Sequence, residues 1–284
     1  MDAMTQPASL VTPDWLEAHA GDADLRIIDV AGLRQDDMQA YKAGHVPGAI
    51  CWLWKEMLWD SLQRDFPDPD EFARRMGAAG IGNDTHVVIY GEDIQFGIYG
   101  WWTLRYCGHA KVSVLDGGRH GWAAAGKPLQ TEFPRPPVPV VYRPVKRNEE
   151  MRIFRDDVLA SLGDGTTKIV DARSPEEYRG ERVGGPGGPD TGAVRYGRIP
   201  GAKHFFFASL MDENKAFRPA TELAPLAAKI GIKPDDSVIA YCRMSHRATV
   251  AYFALHEILG YPKVKVYDGS WTEWGNLVGV PVER

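Results

Sequence analysis

One segment of the chain, Ser237-Val-Ile-Ala-Tyr-Cys-Arg-Met-Ser-His-Arg-Ala248, contains a short apolar run followed by polar and basic residues. The run lacks polar alternation, which is typical of a strand buried on both faces of a parallel sheet. Apolar residues then recur at helical spacing from about Arg247 to Leu259. Cys242 is therefore predicted to lie between a strand and a helix, at the sheet edge where parallel α/β domains bind ligands.

The strand pattern of this segment occurs twice, because Val87-Val-Ile-Tyr90 resembles Val238-Ile-Ala-Tyr241. Five further landmarks recur in the same order: Leu25–Val30 with Lys168–Ala172, Gly44–Ala49 with Gly197–Ala202, Gly80-Ile81 with Gly231-Ile232, Val114–Gly118 with Val266–Ser270, and Trp122 with Trp274. The spacing differs most where the second copy carries an insertion that contains the glycine-rich stretch Gly184–Pro189. Six landmarks in one order indicate a tandem duplication of one domain.

A proline-dense stretch, Phe133-Pro-Arg-Pro-Pro-Val-Pro139, separates the two copies. Proline does not fit a helix interior or a central strand, so residues 131–148 are predicted to form an extended linker. Strands and helical segments alternate within each copy, which predicts a mostly parallel sheet covered by helices on both faces. We therefore predict an α/β protein with two tandem domains, residues 1–130 and 149–284.

The composition limits the classes of partner. The 284 residues include 33 Lys and Arg against 38 Asp and Glu, a formal net charge of −5 that disfavours nucleic acid and anionic membranes as main partners. Met1–Pro7 shows no targeting signal, and no apolar stretch reaches the roughly 18 residues of a membrane span. Three cysteines do not form a disulfide framework, so we expect a reducing, cytoplasmic location.

Cys242 combines several features of a reactive cysteine. Unpaired N–H groups at the start of the following helix, and a nest of N–H groups in the turn, favour an anion. Basic side chains next to Cys242 favour the thiolate over the thiol. We therefore predict that Cys242 is a nucleophile and that the residues after it bind an anionic substrate: Arg243, Met244, Ser245, His246 and Arg247.

The other two cysteines lack such surroundings. Cys51 follows an aromatic-flanked segment and Cys107 ends an apolar helix, so both are predicted to be structural. No C-x-x-C pair is present, so we predict neither a metal site nor a redox dithiol. In the first copy Gly91 occupies the position of Cys242 and begins an acidic loop, Gly91–Gln95. The first half is therefore predicted to lack the nucleophile.

Taken together, four motifs resemble those of two-domain rhodanese sulfurtransferases, and the resemblance covers nearly the whole chain. They are Val170–Tyr178, Gly197–Ala202, the six-residue loop Cys242–Arg247, and Tyr267–Trp274. The bacterial thiosulfate sulfurtransferases look most similar. The resemblance implies an inactive N-terminal rhodanese-like domain and a catalytic C-terminal one.

The resemblance also implies a mechanism. Cys242 would take the outer sulfur of thiosulfate as a persulfide, release sulfite, and pass the sulfur to cyanide or another thiophilic acceptor in a ping-pong scheme. No metal or organic cofactor is implied. The expected partners are a small anionic sulfur donor and a thiophilic acceptor, without nucleic acid or membrane.

The chain departs from related enzymes at two positions, Met244 in the loop and Glu177 before Tyr178. Mercaptopyruvate sulfurtransferases carry a serine where Met244 stands, and Met244 cannot relay a proton. Animal thiosulfate enzymes instead carry a lysine at Met244 and an arginine at Glu177. If this chain binds thiosulfate, another basic group must replace them: His246, Arg247, Arg182 or Arg195.

Three alternatives to a thiosulfate enzyme remain open. The first is a mercaptopyruvate sulfurtransferase, the second a non-enzymatic persulfide carrier. The third is a cysteine phosphatase, whose loops carry five residues between cysteine and arginine, whereas four lie between Cys242 and Arg247.

Several other residues of these motifs are expected to have supporting roles. Asp29 and Asp171 are expected to brace loops, and Arg173 is expected to pair with a carboxylate. His45, Trp122 and Trp274 are expected to be structural, whereas Asp268 and Trp271 are expected to line the pocket.

Overall fold

A computed structural model of the protein describes residues 7–32, 38–91 and 93–284. The first six residues of the stretch Met1–Pro7 and Glu92 of the acidic loop lie outside the described residues. The strands are β1 Leu10–Val11, β2 Leu25–Ala31, β3 Ile50–Leu53, β4 His86–Gly91, β5 Val112–Leu115, β6 Arg152–Ile153, β7 Thr167–Asp171, β8 Lys203–His204, β9 Ser237–Tyr241 and β10 Val264–Tyr267.

The helices alternate with these strands. They are α1 Pro13–His19, α2 Gln39–Ala43, α3 Trp54–Leu58, α4 Pro69–Ala78, α5 Ile94–Tyr106, α6 Gly118–Ala124, α7 Arg155–Ser161, α8 Pro175–Tyr178, α9 Ala220–Lys229, α10 His246–Tyr252 and α11 Ser270–Trp274. Short 3-10 turns lie at Glu149–Met151 and Phe207–Leu210, and Phe253–Ile258 continues α10 as a π-helix. The helix predicted after Cys242 is thus present.

The strands form two five-stranded sheets with the same order. The first is β1-β5-β4-β2-β3 and the second is β6-β10-β9-β7-β8, so each strand of one sheet has a counterpart in the other. All ladders between these strands are parallel. The predicted α/β fold, built twice from a mostly parallel sheet with helices, is confirmed.

Equivalent tyrosines at the ends of β4 and β9 show the duplication in atomic detail. The hydroxyl of Tyr90 accepts a hydrogen bond from the amide of Val46 at 3.0 Å, and that of Tyr241 accepts one from the amide of Ile199 at 3.2 Å. Both tyrosines are fully buried. In each copy this bond joins the central strand to the proline-glycine turn that precedes the edge strand.

The two equivalent tryptophans are also core residues. The side chains of Trp122 and Trp274 are buried, and each donates its indole N–H to a proline carbonyl a few residues later, Pro128 and Pro281. Each proline follows the helix that carries its tryptophan, so the two indoles make the same contact in both copies. Their burial and this contact are consistent with the structural role expected of both.

The chain divides into two compact units. The first contains residues up to Asn148 together with Glu213–Ala216, and the second contains Glu149–Asp212 and Phe217–Arg284. The proline-rich segment 131–148 has no helix or strand and belongs to the first unit. The assignment of residues 1–130 as inactive and 149–284 as catalytic stays a prediction.

Hydrogen bonds anchor the proline-rich segment to the first unit. The amide of Val140 donates to the carbonyl of Gly77 at 3.0 Å, and Arg143 exchanges two bonds with the Asn83 side chain. A Cβ at Gly77 would lie 2.5 Å from the Val140 carbonyl oxygen, so only glycine allows this approach. The segment is therefore held against the first unit, and its role as an extended linker stays a prediction.

A buried histidine couples this segment to pH. His109 is 1% exposed, its Nδ1 lies 3.2 Å from the Tyr142 hydroxyl and its Nε2 lies 3.1 Å from the Thr85 carbonyl oxygen. Burial lowers the pKa of His109 to about 4 from its ordinary value of 6.5. Since the unfolded chain then binds more protons between these two values, the stability that His109 contributes is lost as the pH falls from 6.5 to 4.

We expect this loss to be measurable in unfolding experiments. Between pH 7 and 4.5, wild-type protein should lose about 2 kcal/mol more of its unfolding free energy than His109→Gln loses. The comparison uses urea unfolding of both proteins, so that other titrating groups cancel. Equal pH dependence in the two proteins would show that His109 is not the responsible group.

Candidate active site

The candidate nucleophile lies in a tight turn at the carboxyl end of the second sheet. Strand β9 ends at Tyr241 and helix α10 begins at His246, so four residues make the connection. Cys242 is 1% exposed, and Ser245 has a φ of 71°, which non-glycine residues rarely adopt. Such a backbone persists only when the surroundings hold it in place.

Ser270 holds the turn from the side of the last strand. Its hydroxyl oxygen accepts from the amides of Cys242 at 3.1 Å and Ser245 at 3.3 Å, while its O–H donates to the Tyr267 carbonyl. The hydroxyl of Ser245 donates to a carboxylate oxygen of Asp268 at 2.6 Å. Because these groups are fully buried or nearly so, their bonds fix the turn firmly.

The carbonyls of the turn are also used. The amide of Trp271 donates to the carbonyl of Cys242, and Thr272 donates both its amide and its hydroxyl to the carbonyl of Arg243. Among the described residues, the bonds that hold the turn do not use the amide N–H groups of Arg243 or Met244. Those N–H groups are left for an anion next to the cysteine.

A buried ion pair connects the start of α10 to α8. The guanidinium of Arg247 donates two hydrogen bonds to the carboxylate of Glu177, at 2.5 and 2.8 Å. The Glu177 side chain is fully buried and that of Arg247 is 12% exposed. Glu177 also accepts from the amide of Ser174 at 3.1 Å, and completes a capping box with it, so its carboxylate has one fixed position.

The pKa shifts of this pair follow from its contacts. Burial raises the pKa of Glu177, but the hydrogen bonds and charge of Arg247 lower it by more, so the net shift is downward. Burial likewise lowers the pKa of Arg247, and the hydrogen bonds to Glu177 together with the negative charge of a Cys242 thiolate raise it by more. Arg247 lies in the first turn of α10, directly after the turn that holds Cys242.

A second buried ion pair lies beneath the first. Arg173 and Asp171 are fully buried and share three short side-chain bonds, and Asp171 also accepts from the hydroxyl of Tyr241 at 2.6 Å. The Arg173 guanidinium lies 4.5 Å from the Trp271 ring centroid and 5.5 Å from that of Tyr241. Asp171 thus binds the residue that immediately precedes the nucleophile, which is consistent with the supporting roles expected of Asp171 and Arg173.

Arg243 differs from Arg173 and Arg247, which are both paired with carboxylates. In the described part of the chain it has no carboxylate partner, and its Nε is buried without a hydrogen-bond acceptor. Its guanidinium packs on the inserted segment at Gly192, where a Cβ would lie 2.9 Å from Nε. The insertion therefore places Arg243, and the charge of Arg243 is not cancelled by a neighbouring carboxylate.

Two of the residues proposed to bind substrate have other uses. Arg195 donates to the carbonyls of Trp274, Gly275 and Val280, and Arg182 donates to two carbonyls of its own loop, Gly184 and Gly188. These bonds use their guanidinium groups to hold loops in place. Neither arginine gains support as a replacement for the missing basic residues.

The remaining loop residues occupy different positions. Ser245 is fully buried and directs its hydroxyl at Asp268, so it braces the turn. His246 is 6% exposed at the first position of α10, whereas Met244 is half-buried. Asp268, which was expected to line the pocket, also pairs with buried Arg152 at 3.2 Å.

Sequence reasoning missed the role of Glu177. It noted this position only for the absence of a basic residue, although Ser174 and Glu177 have the spacing of a capping box. That spacing predicts where the glutamate lies, at the start of a helix. It does not predict that Arg247, 70 positions later, binds the same carboxylate.

Cys51 and Cys107 lie in unreactive surroundings. Cys51 is paired with Asp29 across β2 and β3, and burial together with that carboxylate raises the pKa of its thiol to about 12. Cys107 is buried at the end of α5. A thiol that stays protonated at neutral pH is a poor nucleophile, which is consistent with the structural role predicted for Cys51.

The expected structural role of His45 is also consistent with its contacts. Its ring is fully buried and stacks on Tyr41 at 3.8 Å, with Nδ1 2.9 Å from the Tyr41 carbonyl oxygen.

The part of the chain that the structure describes contains no cluster of three or more potential ligands arranged for a metal ion. Nor do its helices include one with the length and hydrophobicity needed to cross a bilayer.

Comparison with known protein families and sequences agrees with the duplication. The family model described as a rhodanese-like domain matches residues 12–125 and 154–277. A sulfur carrier protein of Thermus thermophilus, TtuD, is 43% identical over 98% of this chain and 97% of its own length. A Haloferax volcanii protein named provisionally as a thiosulfate sulfurtransferase is 41% identical over 97% of this chain and 96% of its own length.

Solved structures with the same fold include ergothioneine-forming enzymes. The anaerobic ergothioneine biosynthesis enzyme of Chlorobium limicola, bound to trimethyl histidine, has a TM-score of 0.84 at 27% identity and is matched over 100% of this chain and 72% of that one. In a variant of EanB with the same score and identity, matched over 97% of this chain and 70% of that one, ergothioneine is covalently linked with a cysteine persulfide.

Proposed function

Because the chain belongs to the rhodanese family, we propose that it is a sulfurtransferase that moves the outer sulfur of thiosulfate to a thiophilic acceptor through a persulfide on Cys242. One observation carries the proposal. Cys242 lies in a braced turn between a strand and a helix, next to Arg243, which has no carboxylate partner in the described chain. Such a site stabilises a thiolate, an anionic donor and a persulfide alike.

The proposed reaction balances without an oxidant or cofactor. The Cys242 thiolate attacks the outer sulfur of thiosulfate, a new S–S bond forms, and the S–S bond of thiosulfate breaks as sulfite leaves with its electron pair. In the second step a nucleophile attacks the outer sulfur of the persulfide and regenerates the thiolate. With cyanide as the acceptor, the product is thiocyanate.

The residues in and around the turn have different roles in the proposed reaction. Arg243 and the N–H groups of the turn bind the anionic end of the donor and the sulfite that leaves. Arg247 anchors the helix that follows the turn through its ion pair with Glu177. Ser270 keeps the turn in the conformation that presents these groups.

The first half of the chain lacks room for the same chemistry. Strand β4 ends at Gly91 and α5 begins at Ile94, so the connection is shorter than the one that holds Cys242. A Cβ at Gly91 would lie 2.9 Å from the carbonyl oxygen of Val30 and 3.0 Å from that of Asp93. These contacts support the proposal that residues 149–284 form the catalytic domain.

Observations bear on two of the alternatives, one in favour and one against. The name of the Thermus thermophilus relative favours a persulfide carrier that delivers sulfur to a protein. The family includes mercaptopyruvate enzymes, but Ser245 directs its hydroxyl at Asp268 and Met244 has no proton to relay, which favours thiosulfate.

We further propose a cytoplasmic location, where the thiols stay reduced.

The persulfide is the test of the proposed function. After treatment with thiosulfate, intact-mass and peptide analysis should show one added sulfur atom on Cys242, and cyanide should remove it as thiocyanate. A protein that stays unmodified would contradict the proposal. Release of sulfur only to a specific protein would favour the carrier, and rapid hydrolysis of an aryl phosphate would favour a phosphatase.

Donor preference separates the two small-molecule enzymes. We expect kcat/KM for thiosulfate to exceed that for 3-mercaptopyruvate by about tenfold or more, because no side chain of the turn is placed to relay a proton to the leaving pyruvate enolate. Steady-state kinetics with cyanide as a common acceptor measure both values. A larger value with mercaptopyruvate would reassign the donor.

A further inference from the structure

We propose that Glu177 determines which donor charge the site accepts. Its carboxylate neutralises the positive charge of Arg247, so that Arg243 is the group that binds the anionic donor. The inference rests on the proposed function and adds a substrate class to it. The site is suited to sulfane-sulfur donors that carry a single negative charge, such as thiosulfonates and persulfides. Thiosulfate, a dianion, is accepted less well than the arginines alone would allow.

The ion pair has the properties that this role requires. The two hydrogen bonds between Arg247 and Glu177 are short, and the carboxylate is fully buried. Its contact with Ser174 prevents it from turning away when a donor enters. Arg247 is therefore neutralised permanently and contributes a dipole to the cysteine rather than a full counter-charge.

The neighbouring charges are also paired. Arg173 is bound to Asp171, and Arg152 is bound to Asp268, so these ion pairs add little net charge. In the described chain Arg243 has no carboxylate partner, and Gly192 allows its guanidinium to lie against the insertion. Within the turn Cys242–Ser245, Arg243 thus supplies one positive charge without a carboxylate partner, which matches a donor with one negative charge.

A matched pair of donors isolates the effect of charge. Methanethiosulfonate and thiosulfate present the same outer sulfur on the same sulfonyl group, but the first carries one negative charge and the second carries two. The quantity to measure is the ratio of kcat/KM for thiosulfate to that for methanethiosulfonate, with cyanide as acceptor. Damage to folding or to the nucleophile changes both values together and leaves the ratio unchanged.

Removing the carboxylate charge should favour the dianion. Glu177→Gln keeps an oxygen for Arg247 but leaves its charge uncancelled, so the ratio should rise about fivefold, mostly through a lower KM for thiosulfate. Glu177→Asp keeps the charge and serves as the matched control, with the wild-type ratio. Sulfate, which cannot react, should raise the melting temperature of Glu177→Gln more than that of the wild type.

The opposite change tests the proposal without disturbing the buried pair. Arg243→Gln should lower the ratio about fivefold, because the dianion loses its uncancelled counter-charge. An unchanged ratio in Arg243→Gln, or in a folded Glu177→Gln, overturns the proposal. The proposed function fails separately, because it requires only that thiosulfate place a persulfide on Cys242 of the wild-type protein.

Discussion

Cys242→Ser should lose sulfur transfer by about 10⁴-fold or more in kcat/KM, because a serine hydroxyl neither ionises at neutral pH nor forms a persulfide. The fold should survive. The amide and carbonyl of residue 242 keep their partners Ser270 and Trp271, and the new hydroxyl replaces a thiol that is 1% exposed. Burying it costs about 1 kcal/mol, which corresponds to a few degrees in melting temperature.

The other two cysteines provide matched controls for this experiment. Cys51→Ser and Cys107→Ser each change one thiol to a hydroxyl, as Cys242→Ser does, but Cys51 lies on β3 beside Asp29 and Cys107 is buried at the end of α5 in the other unit. Thiocyanate formation from thiosulfate and cyanide should remain within about twofold of wild type in both. Thiocyanate formation by Cys242→Ser at an appreciable rate would show that the nucleophile lies elsewhere.

The architecture was predictable because it follows from local patterns. Apolar runs such as Ser237–Tyr241 predict buried parallel strands, and each element appears twice, so an error in one copy is corrected by the other. The position of Cys242 follows from the same reasoning, since a residue between a parallel strand and the following helix lies at the carboxyl edge of the sheet. These inferences use only spacing along the chain.

The contacts around Cys242 were not predictable in this way. The sequence marks Arg182, Arg195, Arg243 and Arg247 equally as basic residues near a glycine-rich loop or the cysteine. The contacts that distinguish them are not visible in the sequence: Arg182 binds carbonyls of its own loop, Arg195 binds the carbonyl of Val280, and Arg247 binds the carboxylate of Glu177. A linear pattern carries no information on such pairing.

Arg247→Gln should lower the unfolding free energy by about 3–5 kcal/mol, because it leaves the fully buried carboxylate of Glu177 without its counter-charge. Activity should fall as well, because the helix that follows the turn of Cys242 loses the ion pair that joins it to α8. Urea unfolding measures the first effect and the thiosulfate–cyanide assay measures the second. A loss below about 1 kcal/mol would show that the pair is solvated rather than buried.

Two further proteins separate burial from the loss of an ion pair as such. Arg179→Gln breaks a pair with Glu181 in which both side chains are about half exposed, so it should cost less than about 1 kcal/mol. The double variant Arg247→Gln with Glu177→Gln removes both charges and should recover a large part of the stability lost by Arg247→Gln alone. Equal losses in the double and single variants would contradict the role of the buried charge.

The pH dependence of the variant provides the sharpest distinction. In the wild type Arg247 lowers the pKa of Glu177, so the stability from the pair is present above the ordinary glutamate pKa and is lost as the pH falls through the lowered value. In Arg247→Gln the same burial acts without the guanidinium and raises the pKa of Glu177 instead. The carboxyl then takes up a proton within the folded state, so the difference in stability between variant and wild type should shrink as the pH is lowered from 8 towards 5. A difference that is constant over this range would mean that lost packing, and not an uncompensated charge, destabilises the variant.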